Sequence, residues 1–358
     1  MLSKPITSSP CQQCIAMGIF FNISIAFSVS TPLLVNKKQQ ERIFNEKYYA
    51  RIRSFGDLAI YDKEDFEDSD YVTKFAEGSE VIITSWESPQ ISKDILDKCP
   101  NLKGVIHAAG SVKPVVSDEM IAKKIRITGS AAAIGEGVAE TALGFAISAC
   151  KGFYRLNEDT KNRLWGENIY SVVKDFYDIN VGVISGGFVG RHMVKLLKNF
   201  HVNVLMYDPV LSEKEIEDIG AKKVELNELM SESDVVTIHA PSIPATDNML
   251  NKSNLCLMKD GAVLINTARG TIINEQDLIE ELEKGRIFAC IDVTNPEPPE
   301  LENKLRTLSN VVLTPHIAGT VTNGLKRIAL HVCEELERLM SGEKMRTEVD
   351  LSALSKLA

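Results

Sequence analysis

Two doubly wound α/β domains, each a parallel sheet covered by helices on both faces, are the fold class this sequence predicts. Three observations lead there. The chain has 358 residues, enough for two domains of ordinary size with full cores. Short β-branched apolar runs alternate along it with charged, helix-like spacers, the pattern of parallel strands joined by crossover helices. These runs fall into two series separated by one long apolar stretch. Hydrophobic residues make up 44% and charged residues 25%, which sets aside disordered, collagen-like and membrane compositions.

The first series opens with ISIAFSV, Ile23 to Val29, read as a strand that ends in a loop at Pro32. Lys37 to Arg51 is charged with spaced apolar residues and reads as helix. Leu58 to Tyr61, Val81 to Thr84 and Gly104 to His107 read as further buried strands. From Gly135 to Tyr154 the apolar residues Val138, Ala142, Leu143, Phe145 and Ala146 suit a long buried helix that bridges the two series. The second series begins after about residue 125, with strands at Val181 to Ile184, Val202 to Tyr207, Val235 to Ala240, Ala262 to Asn266, Phe288 to Asp292 and Val311 to Thr314. Six such strands complete a doubly wound domain. A last amphipathic helix, Gly324 to Met340, has no strand after it.

Lys and Arg total 40 against 49 Asp and Glu, a net charge of -9, so a nucleic-acid partner is not expected. Seven cysteines spread thinly over the chain suit a reducing, cytoplasmic location rather than a disulfide framework. The close pair Cys11 and Cys14 lacks the second pair that a zinc site needs, and no metal is expected. Ile15 to Phe27 is mostly apolar, but Asn22 and Ser24 interrupt it and it is too short to cross a bilayer. Residues 1–22 are therefore read as an extension, with no membrane partner.

The strongest local motif is VGVISGGFVG, from Val181 to Gly190, a strand running into glycines and then into the helical pattern Arg191 to Phe200. A dinucleotide pyrophosphate needs a close backbone approach at a helix N-terminus, where N–H groups and the dipole favour negative charge. Gly187 allows that approach, with Phe188 and Val189 opening the helix, and Gly190 lets the helix lie on the strand. The first glycine of the usual fingerprint is replaced by Ser185. Asp208 closes the next strand, 18 residues beyond Gly190, where a carboxylate can accept hydrogen bonds from both hydroxyls of an adenosine ribose. A 2′-phosphate there meets negative charge, and Pro209 to Glu213 contains no Arg to neutralise it. The expected cofactor is NAD.

Three later segments end strands with polar groups: AVLINTARG at Ala262 to Gly270, CIDVTNPEPP at Cys290 to Pro299, and VVLTPHIAG at Val311 to Gly319. In open α/β sheets ligands sit beyond the carboxyl ends of the strands, so these side chains should converge. With these motifs in this order, from about residue 23 to 349, the chain resembles the NAD-dependent, D-isomer-specific 2-hydroxyacid dehydrogenases. The resemblance implies a flavodoxin-like substrate domain (23–126, completed by the C-terminal helix region 322–358), a Rossmann NAD-binding domain (127–321), and a cleft between them.

It also implies reversible hydride transfer between NAD and C2 of a small 2-keto or 2-hydroxy acid. Arg269 offers a rigid fork of donors for the substrate carboxylate or carbonyl oxygen. His316 is the proton donor to that oxygen, and the base in reverse, since an unperturbed imidazole titrates near 6.5, an approximate reference value. Glu297 would hold the other ring nitrogen and favour the imidazolium. By resemblance, Asp292 and the Thr267–Ala268 backbone contact the nicotinamide carboxamide, while Ala240, Pro241 and Thr246 line the adenosine and phosphate side. Gly110, Ser111 and Val112 stand where the family's substrate loop offers backbone N–H groups to the carboxylate; the second glycine and following Asp of the common version do not stand out here, and Lys113 beside the loop reads as a solvated lysine, or as a contact for a substrate with an extra acidic group. His107 and His239 read as packing residues. A homodimer through residues 130 to 170 is implied as well. The alternative reading is an NAD-sensing, corepressor-like binding protein with little turnover.

Overall fold

The computed structural model describes residues 29–166 and 169–356. Its first sheet is parallel, with strands β1 (Val29–Leu34), β2 (Gly56–Ile60), β3 (Val81–Thr84), β4 (Gly104–His107) and β5 (Arg126–Gly129) in the order β2-β1-β3-β4-β5. The helices between them are α1 (Lys37–Ile43), α2 (Glu46–Arg53), α3 (Ser69–Ala76), α4 (Lys93–Lys98) and α5 (Asp118–Ala122). After α6 (Ala131–Cys150), α7 (Phe153–Lys161) and α8 (Ile169–Val172), a seven-stranded parallel sheet follows. Its strands are β6 (Asn180–Ile184), β7 (Asn203–Tyr207), β8 (Lys222–Lys223), β9 (Val235–Ile238), β10 (Val263–Asn266), β11 (Phe288–Ile291) and β12 (Val311–Leu313). They lie in the order β12-β11-β10-β9-β6-β7-β8, with α9 (Phe188–Leu197), α10 (Glu213–Ile219), α11 (Leu226–Glu232), α12 (Lys252–Leu255) and α13 (Glu275–Glu283) between them. After β12 comes α14 (Lys326–Met340).

Each sheet is buried on both faces, which is why its strands read as unbroken apolar runs such as VIIT in β3 and VLIN in β10. In the second sheet Val181, Val183, Val235, Val263 and Ile265 pack toward α6 and α9, while Val236, Ile238 and Leu264 pack toward the other face. Helix α6 is long and apolar enough to cross a membrane, yet Ala139, Ala142, Phe145 and Ala146 are bedded in the second sheet's core. Helix α14 returns to the first sheet, where Ile328, Ala329, Val332 and Leu336 join Leu33, Ile83 and Ile106 in one cluster. The chain beyond it closes the β5 edge, with Val349 donating its amide to the Ile127 carbonyl.

Several elements differ from the sequence reading. Of the expected strand Ile23 to Val29, all but Val29 lies outside the described residues, as do residues 1–22 with Cys11 and Cys14. Strand β1 runs through Pro32 instead of ending there. Its pairing with β3 begins only at Leu33 opposite Ile83, after the residue that lacks an N–H, so the proline interrupts no paired stretch of that ladder. The helix expected over Lys37 to Arg51 is two helices, because the Asn45 side chain accepts the Tyr48 amide at 3.3 Å and caps a new one. The bridging helix stops at Cys150, and Gly152 takes a left-handed conformation (φ 66°) before α7. Strand β5, hidden in a basic stretch, extends the first sheet to Gly129, past the boundary expected at 126. Edge strand β8 is two lysines, which carry no apolar signal.

Along the carboxyl edge of the second sheet the ladders continue one residue beyond the strands. The amides of Ser185, His239, Asp292 and Thr314 donate to the carbonyls of Tyr207, Ile184, Asn266 and Ile291. Extending the strand registers by that step sets Asp208, Ser185, His239, Thr267, Asp292 and Thr314 in one polar row across six strands. Every sequence motif in the second domain hangs from this row.

Candidate active site

At one end of the row, the turn from β6 into α9 is built from Ser185, Gly186 and Gly187. Helix α9 starts at Phe188 with Gly187 as an extended N-cap and no side chain capping it, so its first amides are left for an external anion. A Cβ on Gly187 would find nothing nearer than the Ser185 hydroxyl at 3.9 Å, whereas one on Gly190 would come within 1.9 Å of the Ser185 carbonyl oxygen. The second glycine thus keeps space open and the third seats the helix on the turn. Phe188 is exposed, and Val189 packs against Gly135 of α6. Arg191, to which the sequence reading gave no role, donates Nε to the Gly186 carbonyl at 2.8 Å.

Asp208 is buried beside this turn. Its carboxylate accepts the amides of Gly186 (2.8 Å), Val210 (2.8 Å) and Leu211 (3.0 Å), with the Ser185 hydroxyl at 3.5 Å. Burial pushes its pKa up, but these donors outweigh burial and hold it below the ordinary carboxylate value. In the next loop Ala240 is buried and Pro241 half-buried. The Thr246 hydroxyl donates to Pro241 O (2.6 Å) and accepts from the Ile243 amide (3.0 Å), so it closes its own loop.

The other end of the row carries the residues expected to do the chemistry. Beyond β10, Asn266 staples the turn, taking the Ala268 amide at 3.0 Å and donating to the Arg269 carbonyl at 2.9 Å. Thr267 and Ala268 are buried, while Arg269 is exposed, with Nη1 on the Ala268 carbonyl at 2.6 Å. Gly270 is pressed onto the Thr294 backbone, where a Cβ would lie 2.2 Å from its carbonyl atoms. That contact joins the Arg269 loop to the loop of Glu297. Glu297 Oε1 lies 2.6 Å from His316 Nδ1, with both side chains about half exposed.

His316 itself sits at φ 54°, strained for a non-glycine residue, and Asp292 explains how it is held. The Asp292 carboxylate, 1% exposed, accepts the Thr314 hydroxyl (2.5 Å) and the amides of Ile317 (2.9 Å) and Ala318 (2.8 Å), while its carbonyl accepts the His316 amide at 2.9 Å. The Asp292 side chain thus holds the loop that carries the imidazole.

The loop expected to take the substrate comes from the first sheet. Gly110 and Ser111 are half-buried and Val112 is buried. A Cβ on Gly110 would touch Ile134 of α6 at 3.7 Å, and one on Gly319 would touch the same Ile134 at 3.4 Å. Close approaches therefore link these loops in turn: Gly270 to Thr294, Glu297 to His316, and Gly319 and Gly110 each beside Ile134. No spacing rule pointed to Ile134 as the meeting point. His107 lies beneath the loop, with Nδ1 2.9 Å from the Thr84 hydroxyl and its pKa pushed down by burial to about 4. His239 bonds the Thr237 hydroxyl at 3.0 Å, and burial lowers it to about 3. Both are buried side chains hydrogen-bonded to a neighbouring threonine.

Residues 116–318 match the family described as D-isomer specific 2-hydroxyacid dehydrogenase, NAD binding domain. The D-3-phosphoglycerate dehydrogenase of Methanocaldococcus jannaschii is 30% identical over 264 residues, 73% of this chain and 50% of that one. A hydroxypyruvate reductase of Blautia hydrogenotrophica is 28% identical over 81% of this chain and 91% of its own length. The chain spans about half the length of the phosphoglycerate dehydrogenases it matches. In architecture it is similar to a phosphoglycerate oxidoreductase from Rhizobium etli, with a TM-score of 0.78 at 19% identity, covering 90% of this chain and 98% of that one.

Proposed function

Because this chain belongs to the D-isomer specific 2-hydroxyacid dehydrogenases, we propose that it interconverts a small 2-keto acid and the D-2-hydroxy acid with NAD(H). The observation that carries the reading is the 2.6 Å pair of His316 and Glu297 on the loop clamped by Asp292, next to the Arg269 loop. The residues fit the cofactor: open space over Gly187, uncapped amides at the start of α9, and a carboxylate at Asp208 that disfavours a 2′-phosphate. Bound there, the nicotinamide supplies the hydride to C2 and takes it back in reverse.

The chain's own residues do the rest. With a carboxylate facing Nδ1, that nitrogen keeps its proton and Nε2 is the site of exchange: the imidazolium gives its Nε2 proton to the C2 oxygen in reduction, and the neutral ring takes it back there in oxidation. Arg269 holds the substrate carboxylate or carbonyl oxygen and polarises C2. Backbone amides of the Gly110–Val112 loop take the carboxylate from the other side of the cleft. Expected on mixing the protein with NADH and a panel of glyoxylate, hydroxypyruvate, pyruvate and branched 2-keto acids is loss of nicotinamide absorbance at 2-keto-acid-dependent rates, much slower with NADPH. Tight NADH binding without turnover of any 2-keto acid would favour the binding-protein alternative.

The homodimer belongs to this proposal too. Phe153 (58% exposed), Trp165 (85%), Ile169 (42%) and Tyr170 (100%) are exposed large apolar residues in the stretch that follows α6, and aromatic residues are enriched at interfaces. Light scattering should give a two-chain particle, and Trp165→Asp combined with Tyr170→Asp should give one chain. A monomeric wild-type protein at micromolar concentration would remove the assignment.

A further inference from the structure

Three backbone amides take three of the four acceptor directions of the Asp208 carboxylate and the Ser185 hydroxyl stands at long range in the fourth, while the adenosine ribose of NAD carries two hydroxyls. Carboxylate Oδ1 accepts from Val210 and Leu211, which fills both of its lone-pair directions. Oδ2 accepts from the Gly186 amide and keeps one direction, in which the Ser185 hydroxyl stands at 3.5 Å. The three amide bonds build the bend after β7 and tie it to the glycine turn, so none is exchangeable without loosening that turn. A second polar partner for the diol has to come from elsewhere.

Ser185 stands in the right place. It occupies the first glycine position of the fingerprint at φ 80°, a conformation glycine adopts freely and serine adopts under strain. That first glycine serves the tightness of the turn, whereas the second and third make way for the pyrophosphate and the helix. The same division holds here: Gly187 is open, Gly190 is closed against the Ser185 carbonyl, and a side chain at 185 obstructs neither. Ser185 is half-buried, with its hydroxyl between Asp208 Oδ2 and the open side of Gly187.

We propose that Ser185 is a cofactor-binding residue whose hydroxyl, together with Asp208 Oδ2, holds the two hydroxyls of the adenosine ribose. The assignment rests on the NAD-dependent reading above. A backbone strained for the sake of a ligand contact has a signature that a structural serine lacks: removing the side chain moves stability and affinity in opposite directions.

The test uses the full chain, measuring NADH affinity by fluorescence and the melting temperature of the cofactor-free protein. Ser185→Gly should melt higher than wild type and bind NADH about tenfold more weakly, the worth of one ligand hydrogen bond. Ser185→Ala should lose the same affinity without the gain in melting temperature. An NADH analogue lacking both adenosine ribose hydroxyls should bind wild type and Ser185→Gly equally. NADH binding to Ser185→Gly as tight as to wild type overturns the proposal, as does an equal loss with the analogue. A wild-type chain that binds no NADH overturns the NAD-dependent reading along with it.

Discussion

Replacing His316 by alanine is expected to lower kcat for 2-keto-acid reduction by about a hundred- to ten-thousandfold, the usual worth of a positioned general acid. That range corresponds to roughly 3 to 5 kcal/mol of barrier. The imidazole is about half exposed and its Nδ1 is held by Glu297 at 2.6 Å, so alanine removes a proton donor without opening a core cavity. NADH affinity and melting temperature should therefore stay near wild type while turnover collapses. Glu297→Gln keeps the shape of the pair and removes its charge, so it should lower kcat less and alter the pH profile. Comparable turnover in His316→Ala would take the residue out of the role assigned to it.

Asp292→Ala should be costly in a different way. The substitution leaves the amides of Ile317 and Ala318 and the Thr314 hydroxyl without the acceptor they share. Each buried group so orphaned costs about 1 to 3 kcal/mol, and some relaxation is expected, so a loss of about 2 to 4 kcal/mol is the reasonable range. The loss should be local first: hydrogen exchange at Ile317 and Ala318 should accelerate well beyond that in β10, and kcat should fall because His316 is no longer held in its φ 54° conformation. Unchanged exchange at those two amides would mean that the carboxylate does not organise the loop.

Most strands were legible because a parallel sheet buried on both faces demands unbroken apolar runs, and β3 and β4 match the sequence reading residue for residue. The missed strands share one physical cause, that pairing partners outrank local propensity. Strand β5 forms from Arg126–Gly129 because β4 offers it a free edge, and Lys222–Lys223 pairs with Leu205 and Met206 for the same reason. The helix from Lys37 onward divides where Asn45 offers its own side chain to an orphaned amide. Among the site motifs, the Glu297 and His316 loops could be picked out by residue type at strand ends, but the tasks of Asn266 and Asp292 could not.

By itself the sequence determined the kinds of groups and their order: glycines after β6, a carboxylate after β7, and an arginine, a glutamate and a histidine after β10, β11 and β12. Strand periodicity and turn chemistry are local, so they can be read from neighbours in the chain. Only the tertiary structure decided which groups are occupied and which remain available. Asp208 and Asp292 read as ligand-binding carboxylates in the sequence, and the fold gives each the task of holding a loop as well, since buried backbone amides must find acceptors wherever the packing brings one. Tertiary packing alone likewise brings Gly110 and Gly319, more than two hundred residues apart, onto the same isoleucine.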